Sequence, residues 1–161
     1  MRIAVDSSVI LDVLTGDPNF GLVSREALRR AYDAGALVAC DIVWGEVRAH
    51  FPEEATFRNT LATLGVIYEP LRQEAAELAG ERWRKYCLAI RRKRDRDRLV
   101  ADFLIGAHAQ IQADALLSRD RGFLPRPLQR ATPHRSDQSV GGWLLQSARA
   151  GGAECTFLRS A

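Results

Sequence analysis

The first residues constrain the fold most, because a short strand-like stretch runs directly into an acidic side chain. Residues 2–5 have β-type character, Asp6 follows them, and two serines and an apolar run come next. This order predicts a buried strand that delivers Asp6 to its carboxyl end, followed by a helix capped by Ser7 or Ser8. Ligands of parallel α/β folds bind in the crevice outside the carboxyl ends of the strands. What Asp6 can do therefore depends on which other carboxylates reach that crevice.

Short apolar runs and amphipathic stretches alternate along residues 1–123. The apolar runs predict strands at 2–5, 37–40, 66–68 and 113–118. Apolar side chains at helical spacing predict helices at 8–14, 24–34, 42–51, 52–64, 71–89 and 99–112. Strands that alternate with helices indicate a parallel sheet with helices on both faces. The expected fold is therefore a three-layer α/β/α domain with a short parallel sheet.

Composition narrows the function classes. A chain of 161 residues, 47% of them hydrophobic, fits one globular domain. No apolar run is long enough to span a bilayer and residues 1–3 do not resemble a signal peptide, so we expect a cytoplasmic protein without a membrane partner. Cys40, Cys87 and Cys155 lack Cys-x-x-Cys spacing, which favours a reduced setting and argues against zinc. The chain shows no Ser-His-Asp arrangement and no Gly-rich phosphate loop.

Four carboxylates can meet at one edge of such a sheet. Asp6 and Asp120 each follow a predicted strand, Asp102 lies near the start of a helix expected to be buried, and Glu46 lies in the second turn of another. Two like charges ~4 Å apart cost ~4 kcal/mol at an effective dielectric of ~20, so such a cluster needs a shared proton or a bound cation. Hard oxygen ligands suit Mg²⁺ or Mn²⁺. A cation held this way supports hydrolysis of a phosphodiester.

Each acid also has a purely structural interpretation. Asp6 alone could cap the following helix, Glu46 could lie on the solvent face of its helix, and Asp120 could be a turn residue before Gly122. Asp102 is different because its neighbours are apolar, and a buried charge without a partner is costly. The arrangement of the acids is therefore more informative than any one of them.

Four blocks of sequence resemble a known family, the PIN domain. The blocks are residues 3–11, Glu46 within its helix, residues 102–109 and residues 115–123. More narrowly, they resemble the VapC-type toxins of bacterial toxin–antitoxin pairs. The resemblance covers residues 1–123 and implies a PIN-like nuclease domain there.

The resemblance also implies roles for particular residues. Asp6 and Asp102 would be the principal metal ligands, and Glu46 and Asp120 would complete the acidic pocket. Ser8 and Ser118 would orient water or carboxylates around it. The function implied is a Mg²⁺-dependent (or Mn²⁺-dependent) endoribonuclease that cleaves RNA. Its partners would be a second copy of the chain, in a homodimer, and a cognate antitoxin whose C-terminal segment lies across the active site.

Residues 124–161 depart from the family pattern. In the family, an aromatic and basic stretch and a last strand usually follow, and residues 124–135 do not supply that strand. We expect little regular structure in this atypical C-terminal tail, which leaves the last strand of the sheet in doubt. One interpretation is a reading-frame shift just after Phe123; the other is a genuine, divergent extension. Sequencing the gene would distinguish them.

Two other functions stay open at this stage. In the first, the chain is a non-catalytic PIN-like module that binds an antitoxin or RNA. In the second, it is a phosphatase of the haloacid-dehalogenase type, in which a strand-end aspartate is the nucleophile. That family has a second aspartate two positions later, where this chain has Ser8. Cleavage of RNA with added Mg²⁺ or Mn²⁺ would separate these functions from a nuclease.

Overall fold

The computed structural model describes residues 1–89 and 100–119, and the backbone alone of residues 143–150 and 153–160. The strands are β1 (Arg2–Val5), β2 (Ala36–Ala39), β3 (Val66–Tyr68), β4 (Ala115–Ser118), β5 (Trp143–Ala150) and β6 (Ala153–Ser160). The helices are α1 (Ser7–Thr15), α2 (Gly21–Ala34), α3 (Asp41–Arg48), α4 (Glu54–Thr63), α5 (Gln73–Ala89) and α6 (Ala101–Gln112). No helix among the described residues is both long enough and apolar enough to cross a bilayer.

The sheet has the order β3-β2-β1-β4-β6-β5. The first four strands are parallel, with Ile3 opposite both Leu37 of β2 and Ala115 of β4. Residues 3–5 of the central strand β1 are almost completely buried, as strands covered by helices require. The predicted α/β fold with a short parallel sheet is confirmed. In a parallel sheet the carboxyl ends of β1, β2 and β4 share one edge, called the carboxyl edge below.

The most extensive contacts between helices are those of two pairs, α1 with α2 and α5 with α6. Helices α1 and α2 contact each other, and both contact β4. Helix α6 packs on β1 and β4 and carries α5, with Ala75, Ala79, Phe103 and Ala107 at the α5–α6 contact. Helix α6 leads into β4 after only residues 113–114, so the chain reverses there. The start of α6 therefore lies at the carboxyl edge.

The predicted capping of α1 is wrong. The N-cap position belongs to Asp6, and the helix begins at Ser7 without a side-chain cap hydrogen bond. The hydroxyls of Ser7 and Ser8 donate to the carboxylate of Asp6 instead of to backbone groups, because both serines lie within the helix. The helix ends at Gly16, whose φ of 62° is the left-handed conformation that glycine adopts most readily.

The expectation of little regular structure in the tail is also wrong for residues 143–150 and 153–160, which form strands, whereas residues 124–142 lie outside the described residues. Strand β6 pairs antiparallel with β4, with Ser118 opposite Thr156, and β5 pairs antiparallel with β6. The residues between β5 and β6 are Gly151 and Gly152, a two-residue connection that suits a tight hairpin. Pairing also satisfies the edge of β4, whose backbone groups would otherwise lack partners. The local sequence of the tail does not indicate this pairing, because it depends on a distant strand.

Candidate active site

The backbone of Asp6 extends β1 by one residue, and its side chain is held by serines. Its N–H donates to the carbonyl oxygen of Leu117 in β4 at 2.9 Å. The hydroxyls of Ser8 and Ser118 donate to Oδ2 at 2.6 and 2.8 Å, and that of Ser7 lies 3.4 Å from Oδ1. Only 4% of Asp6 is exposed. Two adjacent parallel strands and the first turn of α1 therefore fix this carboxylate at the carboxyl edge.

The partners of Asp6 among the described residues are neutral hydroxyls, which compensate its charge only in part. A buried carboxylate is expensive unless it is paired, protonated or bound to a cation. Both short hydrogen bonds go to Oδ2, so Oδ1 has the weaker contact with the part of the chain that the structure describes. The surroundings of Asp6 are therefore those expected of a carboxylate that binds a cation from solution.

Asp102 lies in the first turn of α6 and is exposed, so the expectation that it is buried is wrong. The following residues of the helix, from Phe103 to Ala109, are mostly buried, but the first turn emerges at the carboxyl edge. A carboxylate in this position is stabilised by the positive end of the helix dipole. Asp102 therefore lies at the same edge of the sheet as Asp6, and solvent reaches it.

Of the other two predicted acids, the structure describes Glu46 but not Asp120. Glu46 lies in the second turn of α3, is half-buried, and belongs to a helix that contacts both α1 and α6. Asp120 follows Arg119 and lies outside the described residues. Among residues 1–89 and 100–119, no three His, Cys, Asp or Glu side chains form a group that could hold a metal ion.

The donor set at the carboxyl edge fits a hard cation that keeps part of its water shell. Mg²⁺ is usually held by one or two carboxylates together with waters and substrate phosphates, and does not need a cage of protein ligands. Asp6 and Asp102 offer carboxylate oxygens of this kind, whereas a structural zinc site would need several Cys or His ligands. The chemistry of these two side chains is of the kind that Mg²⁺ or Mn²⁺ prefers.

Sequence reasoning missed a second buried acid beside this edge, Asp12 in α1. Asp12 is 5% exposed, and Ser24 Oγ and Arg119 Nη1 donate to it at 2.7 and 2.8 Å. Burial raises the pKa of Asp12, and the negative charges of Asp17 and Asp6 act in the same direction. The Ser24 hydrogen bond and the Arg119 guanidinium oppose that rise.

A sequence signal for Asp12 was available. It is an acid between apolar residues of a helix, Ile10-Leu11 before it and Val13-Leu14 after it. The reasoning applied to Asp102, that an acid among apolar neighbours needs a partner, applies equally here. Its partner Arg119 could not be found this way, because more than a hundred residues separate the two.

A separate polar cluster forms around Glu69, which follows β3. The Arg2 guanidinium pairs with Glu69 Oε1, and the Gln112 side-chain amide donates to the same oxygen at 3.2 Å. His108 Nε2 lies 3.9 Å from Glu69 Oε2, and neither atom has a hydrogen-bond partner among the described residues. Burial raises the pKa of Glu69, but the hydrogen bonds of Arg2 and Gln112 outweigh it, so the pKa lies below its ordinary value.

The fold and the edge define an α/β protein with acidic side chains at the carboxyl ends of its parallel strands. The family model of the PIN domain matches residues 3–126, most of the chain. The chain belongs to the PIN domain family, as its sequence blocks predicted. PIN domains are generally nucleases and typically use divalent metals.

Comparison with solved structures and with curated proteins adds little detail. One similar solved structure is the crystal structure of VapBC2 from Rickettsia felis bound to a DNA fragment from their promoter. The identity is 13% and the TM-score 0.49, over 68% of this chain and 80% of that one. A comparison with curated proteins finds no match.

Proposed function

We propose that this protein is a metal-dependent endoribonuclease, the VapC-type toxin of a cytoplasmic toxin–antitoxin pair. The observation that carries the proposal is the buried carboxylate of Asp6, which serine hydroxyls hold at the carboxyl edge of a PIN domain. Asp102 at the same edge adds a second carboxylate that solvent and substrate can reach. A buried carboxylate whose partners among the described residues are neutral is costly unless a proton or a cation compensates its charge.

Asp6 and Asp102 would hold the cation, Mg²⁺ or Mn²⁺, and Glu46 and Asp120 would complete the acidic pocket. When bound, the cation supplies Lewis-acid chemistry: it lowers the pKa of a water and stabilises charge on a phosphate oxygen. Neutralisation of the acids would also reduce their repulsion of the RNA backbone.

The residues around Asp6 would prepare the site before substrate arrives. Ser8 and Ser118 donate to the same oxygen and so limit rotation of the carboxylate. Loss of a group that orients a metal-binding carboxylate in this way typically costs roughly 10–100-fold in metal affinity or activity. The burial of Asp6 lowers the local dielectric, which strengthens its attraction for a cation.

The decisive experiment is RNA cleavage by purified protein with and without Mg²⁺ or Mn²⁺, comparing wild type with Asp102→Asn. We expect cleavage only with metal, and none in the variant, which stays folded because Asp102 is exposed. Asp33→Asn, an exposed acid of α2, is the matched control and should cleave normally. Cleavage that survives chelation or Asp102→Asn would contradict the assignment. RNA binding without cleavage would favour the non-catalytic module, and hydrolysis of a small phosphoester the phosphatase.

The proposed partners are a cognate antitoxin and a second copy of the chain. Support comes from the resemblance of the four sequence blocks to VapC toxins, together with membership of the PIN domain family. The gene environment tests the first partner: a neighbouring reading frame for a small DNA-binding protein should exist, and its product should suppress cleavage when co-expressed. Light scattering on the purified chain tests the homodimer, and a monomer at all concentrations would contradict it.

A further inference from the structure

Arg119 lies next to the acids of the candidate active site, and none of the roles assigned above includes it. It follows Ser118, whose hydroxyl donates to Asp6, and β4 is the parallel neighbour of β1. Its backbone therefore leaves the sheet at the carboxyl edge, beside Asp6.

The guanidinium of Arg119 is held on two sides. Its Nη1 donates to Asp12 Oδ1 at 2.8 Å, and its central carbon lies 4.7 Å from the centre of the Phe20 ring. An arginine side chain is long and flexible, and holding it in one conformation for binding costs up to about 2 kcal/mol of rotamer entropy. Here the contacts with the buried Asp12 carboxylate and the Phe20 ring already hold the guanidinium in place before any ligand binds.

The side chain of Arg119 is still partly accessible to solvent. The side chain of Arg119 is 35% exposed, whereas that of Asp12 is 6% exposed. A guanidinium carries five N–H donors in a planar fork, and the bond to Asp12 uses Nη1. The fork therefore has donors beyond the one used by Asp12, and its geometry matches that of a phosphate.

The local charges create a need for such a contact. The negative charges of Asp6 and Asp17 both act on Asp12, so Arg119 lies among several acids. An RNA strand that approaches acids meets repulsion, and a cation at a fixed place beside them would both offset it and fix the strand's position. Arginine suits this task because its fork matches the geometry of a phosphate.

We propose that Arg119 binds a backbone phosphate of the RNA substrate beside the cleavage site, held ready by Asp12 and Phe20. The inference rests on the proposed ribonuclease function and adds a residue that positions the substrate. The alternative is a purely structural role, in which the Asp12–Arg119 pair only ties the end of β4 to α1.

Salt dependence of binding separates the two roles. A labelled, mixed-sequence single-stranded RNA is titrated with the full chain in Mg²⁺ at several salt concentrations, in an Asp102→Asn background that prevents cleavage. Arg119→Gln should weaken binding roughly tenfold, as loss of a charged hydrogen bond does. It should also reduce the slope of log K against log salt by about 0.7, the value for one phosphate contact on a single strand. Arg119→Lys should keep the slope, because it keeps the charge.

Matched variants control for surface charge and for folding. Arg30→Gln removes an exposed arginine of α2 that is paired with Glu26, and should leave affinity and slope close to those of the parent. Arg119→Gln alone leaves the buried carboxylate of Asp12 without the guanidinium that pairs with it. The double variant Asp12→Asn/Arg119→Gln is therefore measured as well, because it removes both charges together. The double variant should fold and show the same reduced slope.

The outcomes are distinct. An unchanged salt slope in a folded Arg119→Gln or double variant, with normal cleavage by the wild type, overturns the inference about Arg119 and leaves the nuclease intact. A wild-type protein that neither binds nor cleaves RNA overturns the inference together with the function on which it rests. A reduced slope in both variants, with Arg30→Gln unaffected, supports the phosphate contact.

Discussion

Asp6 and Glu69 are both buried carboxylates that follow parallel strands, yet their surroundings are opposite in kind. Hydroxyls of serine residues surround Asp6, whereas Glu69 pairs with the Arg2 guanidinium and the Gln112 amide and faces His108. Burial alone therefore does not distinguish a functional acid from a structural one. The charge of the partners does, because only a carboxylate without a protein cation attracts one from solution.

The two acids also connect different parts of the chain. Glu69 joins the start of β1, the end of α6 and the segment after β3, since Gln112 also donates to the carbonyl oxygen of Pro70 and accepts from the N–H of Arg72. Within residues 1–89 and 100–119, the hydrogen bonds of Asp6 go to helix α1 and strand β4. The cluster around Glu69 thus stabilises the fold by joining separate elements. The cluster around Asp6 holds a carboxylate in position at the carboxyl edge. Substitutions of the two acids should separate activity from stability.

The largest effect in this comparison is expected for Asp6→Asn, and it should resemble the loss expected for Asp102→Asn. Loss of a ligand that stabilises the cation should lower the cleavage rate at least about 100-fold, because such charge stabilisation contributes several kcal/mol. The amide keeps an oxygen for the Ser8 and Ser118 hydroxyls, so the melting temperature should change little. Cleavage assays and thermal unfolding check both points. A folded Asp6→Asn protein with full activity would break the comparison.

Loss of one serine hydroxyl should cost less. Ser8→Ala removes the 2.6 Å hydrogen bond to Oδ2, and we expect activity to fall roughly tenfold, as for other groups that orient a ligand. Ser7→Ala is the matched control, because its hydroxyl lies 3.4 Å from Oδ1 and contributes little. Equal losses of activity in the two variants would show that the hydroxyl of Ser8 does not orient the carboxylate.

Glu69→Gln should show the reverse pattern. The variant loses the charge that pairs with Arg2, so the free energy of unfolding should drop by about 1–2 kcal/mol. The activity of the folded fraction should stay at the wild-type level. Urea denaturation measures the first quantity and single-turnover cleavage the second. A large loss of activity at unchanged stability would place Glu69 in the chemistry and contradict the contrast with Asp6.

The smallest effect is a pH dependence of stability from His108. Burial lowers its pKa below the ordinary 6.5; Glu69 and Asp41 oppose this shift, and Arg2 and Arg72 add to it. The unfolded chain therefore takes up the proton first, so stability is full above pH 6.5 and falls as the pH drops below it.

The slope of that loss should not exceed about 1.4 kcal/mol per pH unit, the limit for one proton. The pKa of Glu69 is also lowered, so its contribution is present above its ordinary 4.5 and is lost at more acid pH, with the same sign. Unfolding by urea between pH 7 and pH 5 should show the slope in wild type and not in His108→Gln. An equal slope in both proteins would exclude His108 as its source.

Local sequence patterns determined much of the fold. The strand Val66–Tyr68 has the predicted bounds, and α1, α3 and α6 begin within two residues of their predicted starts, because apolar periodicity and glycine stops are local signals. The placement of Asp6 after a buried strand follows from the same signals. So does the PIN resemblance, since its blocks carry both the apolar pattern and the acids.

Only the tertiary structure decided which atoms meet. In the folded chain, the serine hydroxyls of α1 donate to Asp6, and Asp102 is exposed at the start of its helix. Asp12 pairs with Arg119, and β6 pairs with β4. Each of these contacts joins atoms whose approach depends on strand register, or on where a helix emerges from the sheet. The sequence by itself determined the order of strands and helices from β1 to β4 and the order of the acids, because periodicity is a local property. Strands β5 and β6, hydrogen bonding and charge pairing depend on contacts across the fold, and only the tertiary structure decided them.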